Sequence, residues 1–185
     1  MQEHVTTNSE DGMASSMPSR RAADLMQDSF AALAAKDFGR LAAFWDEHTT
    51  DVVIPLQLEM VGATALRAFF EELFAAVPDL HFEVETVHDV DERTAIGQWR
   101  LAGTFSGGRF QGIEPTGRRI ELRGVDVMVF EDDLLRRNDV YYDGLSFARQ
   151  VGLLPSPDSL PDRGMTAAFN TFTRAKRFAR QRLSR

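Results

Sequence analysis

The run Arg123-Gly-Val-Asp-Val-Met-Val-Phe130 sets a single carboxylate, Asp126, among apolar side chains. In the two-residue alternation of a strand, Asp126 shares a face with Met128 and Phe130, while Val125, Val127 and Val129 form the other. Both faces read as buried, one of them against a second subunit. A carboxyl stripped of water rises in pKa, which suits it to donating or shuttling a proton. A second acid, Asp139, follows the tight turn at Glu131-Asp132-Asp133. If the hairpin turns on Asp132-Asp133 alone, Asp126 lies opposite Asp139, about 5 Å away between Cβ atoms. Two carboxyls at that range resolve their repulsion by sharing a proton. If the turn takes one more residue, Asp126 faces Asn138 instead, and Val140 and Tyr142 join its side. A slip of one residue swaps the faces, so both registers stand.

The remaining candidates surround this pair. Arg123 is placed to hold a carboxylate or a substrate oxygen, and Asn138 and Tyr142 to orient one. Trp45, Trp99 and Met128 supply wall, where aromatic surface suits a flat apolar ligand. His4, His48, His81 and His88 are scattered. His81 and His88 stand seven apart on a predicted strand and therefore point to opposite faces, so no metal site is expected. No phosphate-cradling glycine loop, Gly-x-Ser-x-Gly elbow or His-Glu-x-x-His is present.

The elements that must carry these groups follow from periodicity. Residues 1–17 lack pattern and read as a disordered tail, with Pro18-Ser19 as the cap and first turn of a helix reaching about Lys36. A short helix covers 38–45, a strand 51–55 ends at Pro55, and 56–61 returns as a second ribbon strand. Gly62 opens a helix with the stripe Leu66, Phe69, Phe70, Leu73, Phe74 and Val77, closed by Pro78-Asp79. The period then changes to two: strands are predicted over 81–88, 95–105, 119–130 and 134–142. Asp143 caps a short helix through Val151. Helices followed by an antiparallel meander predict an α+β domain over 18–154. Residues 155–161 read as a linker, and 165–183 as an amphipathic helix. Arg174, Lys176, Arg177, Arg180, Arg182 and Arg185 crowd its end without an acid among them. The preferred reading lays its Phe residues on the acidic body of this chain or a partner's; docking to a membrane or another anionic surface is the alternative.

With 185 residues and a net charge of −7, the chain suits one core plus tails and disfavours nucleic acid as partner. Zero cysteines exclude disulfides and thiolate sites. No apolar run spans a bilayer and the first residues lack a secretory core, so a cytoplasmic location is expected.

Gly103-Thr104-Phe105, Phe110-x-Gly112, Pro115-Thr116-Gly117-Arg118, Gly124-x-Asp126 and Tyr141-Tyr142-Asp143…Gln150-Val151-Gly152 resemble the SnoaL-like polyketide cyclase branch of the nuclear-transport-factor-2-like superfamily. The resemblance covers about residues 22–154. It implies a cone-shaped α+β barrel, N-terminal helices packed on a curved antiparallel sheet, a deep apolar pocket and a homodimer. It also implies an acid on the last strand as acid/base for an aldol closure without metal or cofactor; Asp139 is the nearest candidate, though a strict alignment puts Val140 there. Asp126-Val-Met-Val-Phe130 resembles ketosteroid isomerases, yet their base falls at Ile54 and their tyrosine at Phe30. Arg123, Asp126 and Asp139 resemble the trio of limonene-type epoxide hydrolases, whose water-positioning residues fall near Asp51 and Val53.

The expectation is therefore an acid/base cyclase or isomerase, needing no cofactor, for a hydrophobic carbonyl compound, polyketide-like or isoprenoid. Asp126 and Asp139 would be catalytic. A non-catalytic module that binds an apolar small molecule is the alternative, and a limonene-type epoxide hydrolase a further one.

Overall fold

The computed structural model describes residues 20–183; the expected tail and the Pro18-Ser19 cap lie outside them. Helix α1 (Ala22–Ala34) buries Leu25, Met26, Phe30 and Ala32 at helical spacing. No side chain of its own caps it. Asp89, from strand β3 (His81–Asp89), accepts a hydrogen bond from the Ala23 N–H at 2.7 Å and does that work from across the fold. Helix α2 is shorter than its periodicity implied, Phe38–Ala42, capped by Asp37. Strand β1 (Thr50–Val53) runs into a 3-10 turn at Ile54–Leu56, where Pro55 removes the donor a ladder would need. Strand β2 (Leu58–Val61) returns, and Gly62, at φ 85°, starts helix α3 (Ala63–Ala76).

Strands β4 (Thr94–Phe105), β5 (Arg118–Glu131) and β6 (Leu134–Tyr142) complete one curved sheet in the order β2-β1-β6-β5-β4-β3. This is the expected α+β architecture, helices against a curved sheet. One pairing departs from it: β1 lies parallel to β6, with Asp51 beside Asn138. The ribbon β1–β2 precedes the meander in sequence and is added to its last strand as an edge.

Alternation predicts the buried face of β4 and β5 almost residue by residue: Ala95, Gly97, Trp99, Leu101, Gly103 and Phe105 on one, Ile120, Leu122, Asp126, Met128 and Phe130 on the other. The valine face of β5 is half-buried. In β3 a bulge at Val84–Thr86 shifts the register, so His81 and His88 emerge on one face, both exposed, rather than on opposite faces.

Helix α4 (Gly144–Gln150) follows Asp143, whose carboxylate accepts from the Ser146 N–H as expected of a cap. Helix α5 (Leu160–Leu183) begins five residues earlier than its apolar stripe suggested, because Pro161 stands in the first turn, where no intrahelical N–H is needed. Among the described residues no helix is long and apolar enough to cross a membrane.

Candidate active site

Between the inner face of the sheet and helices α1, α3 and α4 lies a cavity of about 110 Å³. Its wall is aromatic and aliphatic: Phe69 and Phe70 from α3, Phe82, Trp99 and Phe105 from the meander, Phe147 from α4. Against this surface stand Asp51, Asp126 and Asn138, with Tyr142 beside them.

Three neighbouring strands deliver that polar group. The β5–β6 hairpin turns on Asp132-Asp133, but a bulge between Val129 and Phe130 inserts Arg136 into β6. Asp126 consequently faces Val140, a register neither reading of the turn contained. Asn138, Val140 and Tyr142 share its side of the sheet, while Asp139 is turned to the opposite face. There both Asp139 oxygens accept from Arg137, at 2.7 and 3.0 Å. Asp139 thus lies outside the cavity.

Asn138 joins the two acids. Its Nδ2 donates to Asp126 Oδ2 at 3.0 Å and to Asp51 Oδ2 at 3.2 Å. The other Asp126 oxygen, Oδ1, accepts from Trp99 Nε1 at 2.7 Å. That bond depends on Gly124: the Trp99 ring lies against its Cα, where a Cβ would overlap the indole. Asp51, Asp126 and Asn138 are 4%, 6% and 3% exposed, inside the range where an ionised group needs partners. Asp51 Oδ1 and Asn138 Oδ1 have no hydrogen-bond partner among the described residues.

Burial dominates the electrostatics. It pushes Asp126 up to about 6, opposed by the hydrogen bonds from Trp99 and Asn138. Asp51 stands higher, at about 7, pushed up by burial and then by the neighbouring Asp126 charge, with the hydrogen bond from Asn138 alone opposing. Near neutrality the pair therefore divides its roles. Asp126, with two donors, is the better anion. Asp51, with one oxygen unengaged, is the group poised to take or give a proton. Tyr142 is pushed by burial to about 12 and remains a neutral phenol.

Four of the eight residues expected from the sequence line this cavity: Asp126, Trp99, Asn138 and Tyr142. The others are elsewhere. Arg123 is on the outward face of β5, pairing with Glu85 at 2.7 Å, because odd positions there point to solvent. Trp45 is buried, stacked on Phe70 with ring centroids 5.7 Å apart, behind the wall rather than in it. Met128 is core. Asp139 has been placed above. Asp51 is the residue the sequence reading missed. Its signal was available, since Asp51 alternates with Val53 into an apolar strand just as Asp126 does with Met128.

The curved sheet with helices closing one side and a polar group on the inner face of its central strands places the molecule among the cone-shaped α+β folds. Residues 21–151 match the SnoaL-like polyketide cyclase family, and the chain belongs to it. Among solved structures it is similar to a protein from Jannaschia sp. CCS1 assigned as a SnoaL-like polyketide cyclase: TM-score 0.65, 20% identity, 78% of this chain and 100% of that one. AclR from Streptomyces galilaeus, assigned as a hydroxylase, matches with TM-score 0.60 and 20% identity over 84% of this chain and 94% of its own. TsrD from Streptomyces laurentii matches with TM-score 0.61 and 24% identity over 71% and 94%. At these identities the likeness is one of fold. The search of curated proteins found no match.

Proposed function

We propose that the protein is an acid/base enzyme of the cyclase or isomerase type, acting on a hydrophobic, polyketide-like or isoprenoid carbonyl compound. One observation carries this reading: two buried carboxyls joined by one amide, in a cavity otherwise lined by rings and aliphatic chains. Asp51, ionised, takes a proton from the carbon beside a substrate carbonyl, and the electron pair of that C–H bond moves into an enolate. In a cyclase the enolate carbon bonds to a second carbonyl of the same molecule, whose oxygen takes the proton back from Asp51. In an isomerase Asp51 returns the proton to another carbon. Tyr142, as a neutral phenol, is the available donor to the enolate oxygen. Asp126 acts through Asn138, holding its amide donors toward both acids; its own oxygens are engaged, so it is a positioning residue.

The acid/base assignment moves accordingly from Asp139 to Asp51. The epoxide-hydrolase alternative requires Arg123 and Asp139 beside Asp126, and the sheet lies between them. The test is proton exchange at an activated carbon in deuterated water, with 2-tetralone as the probe, followed by proton NMR. Wild type and Asp139→Asn should exchange it alike, and Asp51→Asn roughly 100-fold more slowly or less. Equal rates in Asp51→Asn would leave the apolar cavity as a binding site without chemistry.

A further inference from the structure

Helix α5 presents a surface that the cavity does not use. Asp162 ties its start to the domain through Arg149, at 3.8 Å. Beyond it, Met165, Phe169 and Phe172 follow at the spacing of one helix face and are 47%, 68% and 67% exposed. Large aromatic side chains in that state are unusual on a helix whose composition is otherwise polar. From Arg174 onward the helix carries bases and no acid. Lys176 stands one turn beyond Phe172 in line with the same stripe and Arg180 two turns beyond at its edge, both exposed. Their aliphatic stems can lie along the apolar face while their charges reach out from it.

The same stripe on a second copy would be a poor occupant: parallel pairing of two α5 helices brings their runs of bases together, and antiparallel pairing sets each run beside a stretch whose one acid, Asp162, is paired with Arg149. The acidic body of another copy offers counter-charge and exposed apolar side chains such as Val61, Leu145 and Leu153, but not the continuous apolar layer of acyl chains into which phenyl rings insert. An anionic lipid surface supplies both, acyl chains below the phosphates for the rings and phosphates for the bases. A pronounced apolar face with Phe, a polar face rich in Arg, and low overall hydrophobicity are the marks of a helix that lies in such an interface. We propose that α5 anchors the protein to anionic membrane surfaces, lying in the plane of the bilayer with Phe169 and Phe172 inserted and Lys176 and Arg180 at the phosphates.

The experiment is flotation of the full chain with vesicles of phosphatidylcholine alone or mixed with phosphatidylglycerol, at low and high salt. The anionic vesicles should bind at least about tenfold more protein, with the excess lost at high salt. Phe169→Ser with Phe172→Ser should lower binding about tenfold, and Lys176→Gln with Arg180→Gln should lower it on anionic vesicles only. Thermal unfolding of each variant, expected at the wild-type temperature, separates lost docking from lost folding. The proposal is overturned if binding ignores lipid charge, or if the Phe substitutions leave it unchanged. It is equally overturned if vesicles bind nothing while light scattering shows a dimer that the Phe substitutions split, or while immobilised heparin retains the chain.

Discussion

Replacing Asp51 with Asn should remove most of the pH dependence of stability over the neutral range. In the native state Asp51 is pushed from 3.8 to about 7, and Asp126 from 3.8 to about 6. Between those limits the folded protein holds protons that the unfolded chain has already released. Stability is therefore greatest below the unfolded value and is lost as pH rises through the folded one, at about 1.4 kcal/mol per unit for each group. From pH 5 to pH 8 Asp51 should remove about 3 kcal/mol and Asp126 about 1 kcal/mol. The carboxylates held low by surface partners, such as Asp46 beside Arg136 and Asp79 beneath Thr104, act in the opposite sense, at more acid pH. Urea unfolding from pH 5 to pH 8 should thus show wild type weakening by about 4 kcal/mol and Asp51→Asn by about 1 kcal/mol. The slope matters more than either end, since any loss from burying an extra amide donor is independent of pH. Equal slopes in the two proteins would refute the buried, proton-holding Asp51 and the mechanism built on it.

Other substitutions probe the supports of the site. Gly124→Ala should cost roughly 1–3 kcal/mol, because its Cβ overlaps the Trp99 indole, and should shift the tryptophan emission as the ring moves off Asp126. Trp99→Phe deletes the donor to Asp126 Oδ1 and should raise the Asp126 pKa, visible by carboxyl-carbon NMR, with a stability loss of about 1–3 kcal/mol above pH 6. Gly97→Ala would press a methyl into Phe30 and Met26, and a loss of about 1–3 kcal/mol is expected in urea. Arg123→Ala should change stability by under about 1 kcal/mol and leave proton exchange of the probe untouched, since its partner Glu85 lies on the outer face.

Much of the fold was legible because it rests on periods. The two-residue alternation of β4 and β5 and the three-to-four spacing of α1 and α3 report directly which side of each element meets the core. The cap at Asp143 is equally local, one carboxylate and one N–H three residues on. The site was legible only where it depended on the same rule. Asp126 is an acid at an inward position of an unbroken strand, and Trp99 is inward on its neighbour.

The misplacement of Asp139 has a structural cause in the bulge of the β5–β6 pairing. Leu135 and Asn138 are both buried, three residues apart on one strand, which strict alternation forbids. Carried forward from Leu135, alternation points Arg137, Asp139 and Tyr141 inward. The inserted Arg136 reverses that parity, and the reversal is stabilised by a contact remote in sequence, the 2.7 Å pairing of Arg136 with Asp46. Asp46 lies in the turn before β1, so one ion pair fixes both the bulge in β6 and the approach of the strand that docks beside it. With β1 parallel to β6, Asp51 then falls beside Asn138. Neither the bulge nor the parallel docking leaves a mark on local periodicity. Asp139 lies outside the cavity because one inserted residue, held by a pairing 90 residues apart, reverses the facing of β6 beyond it.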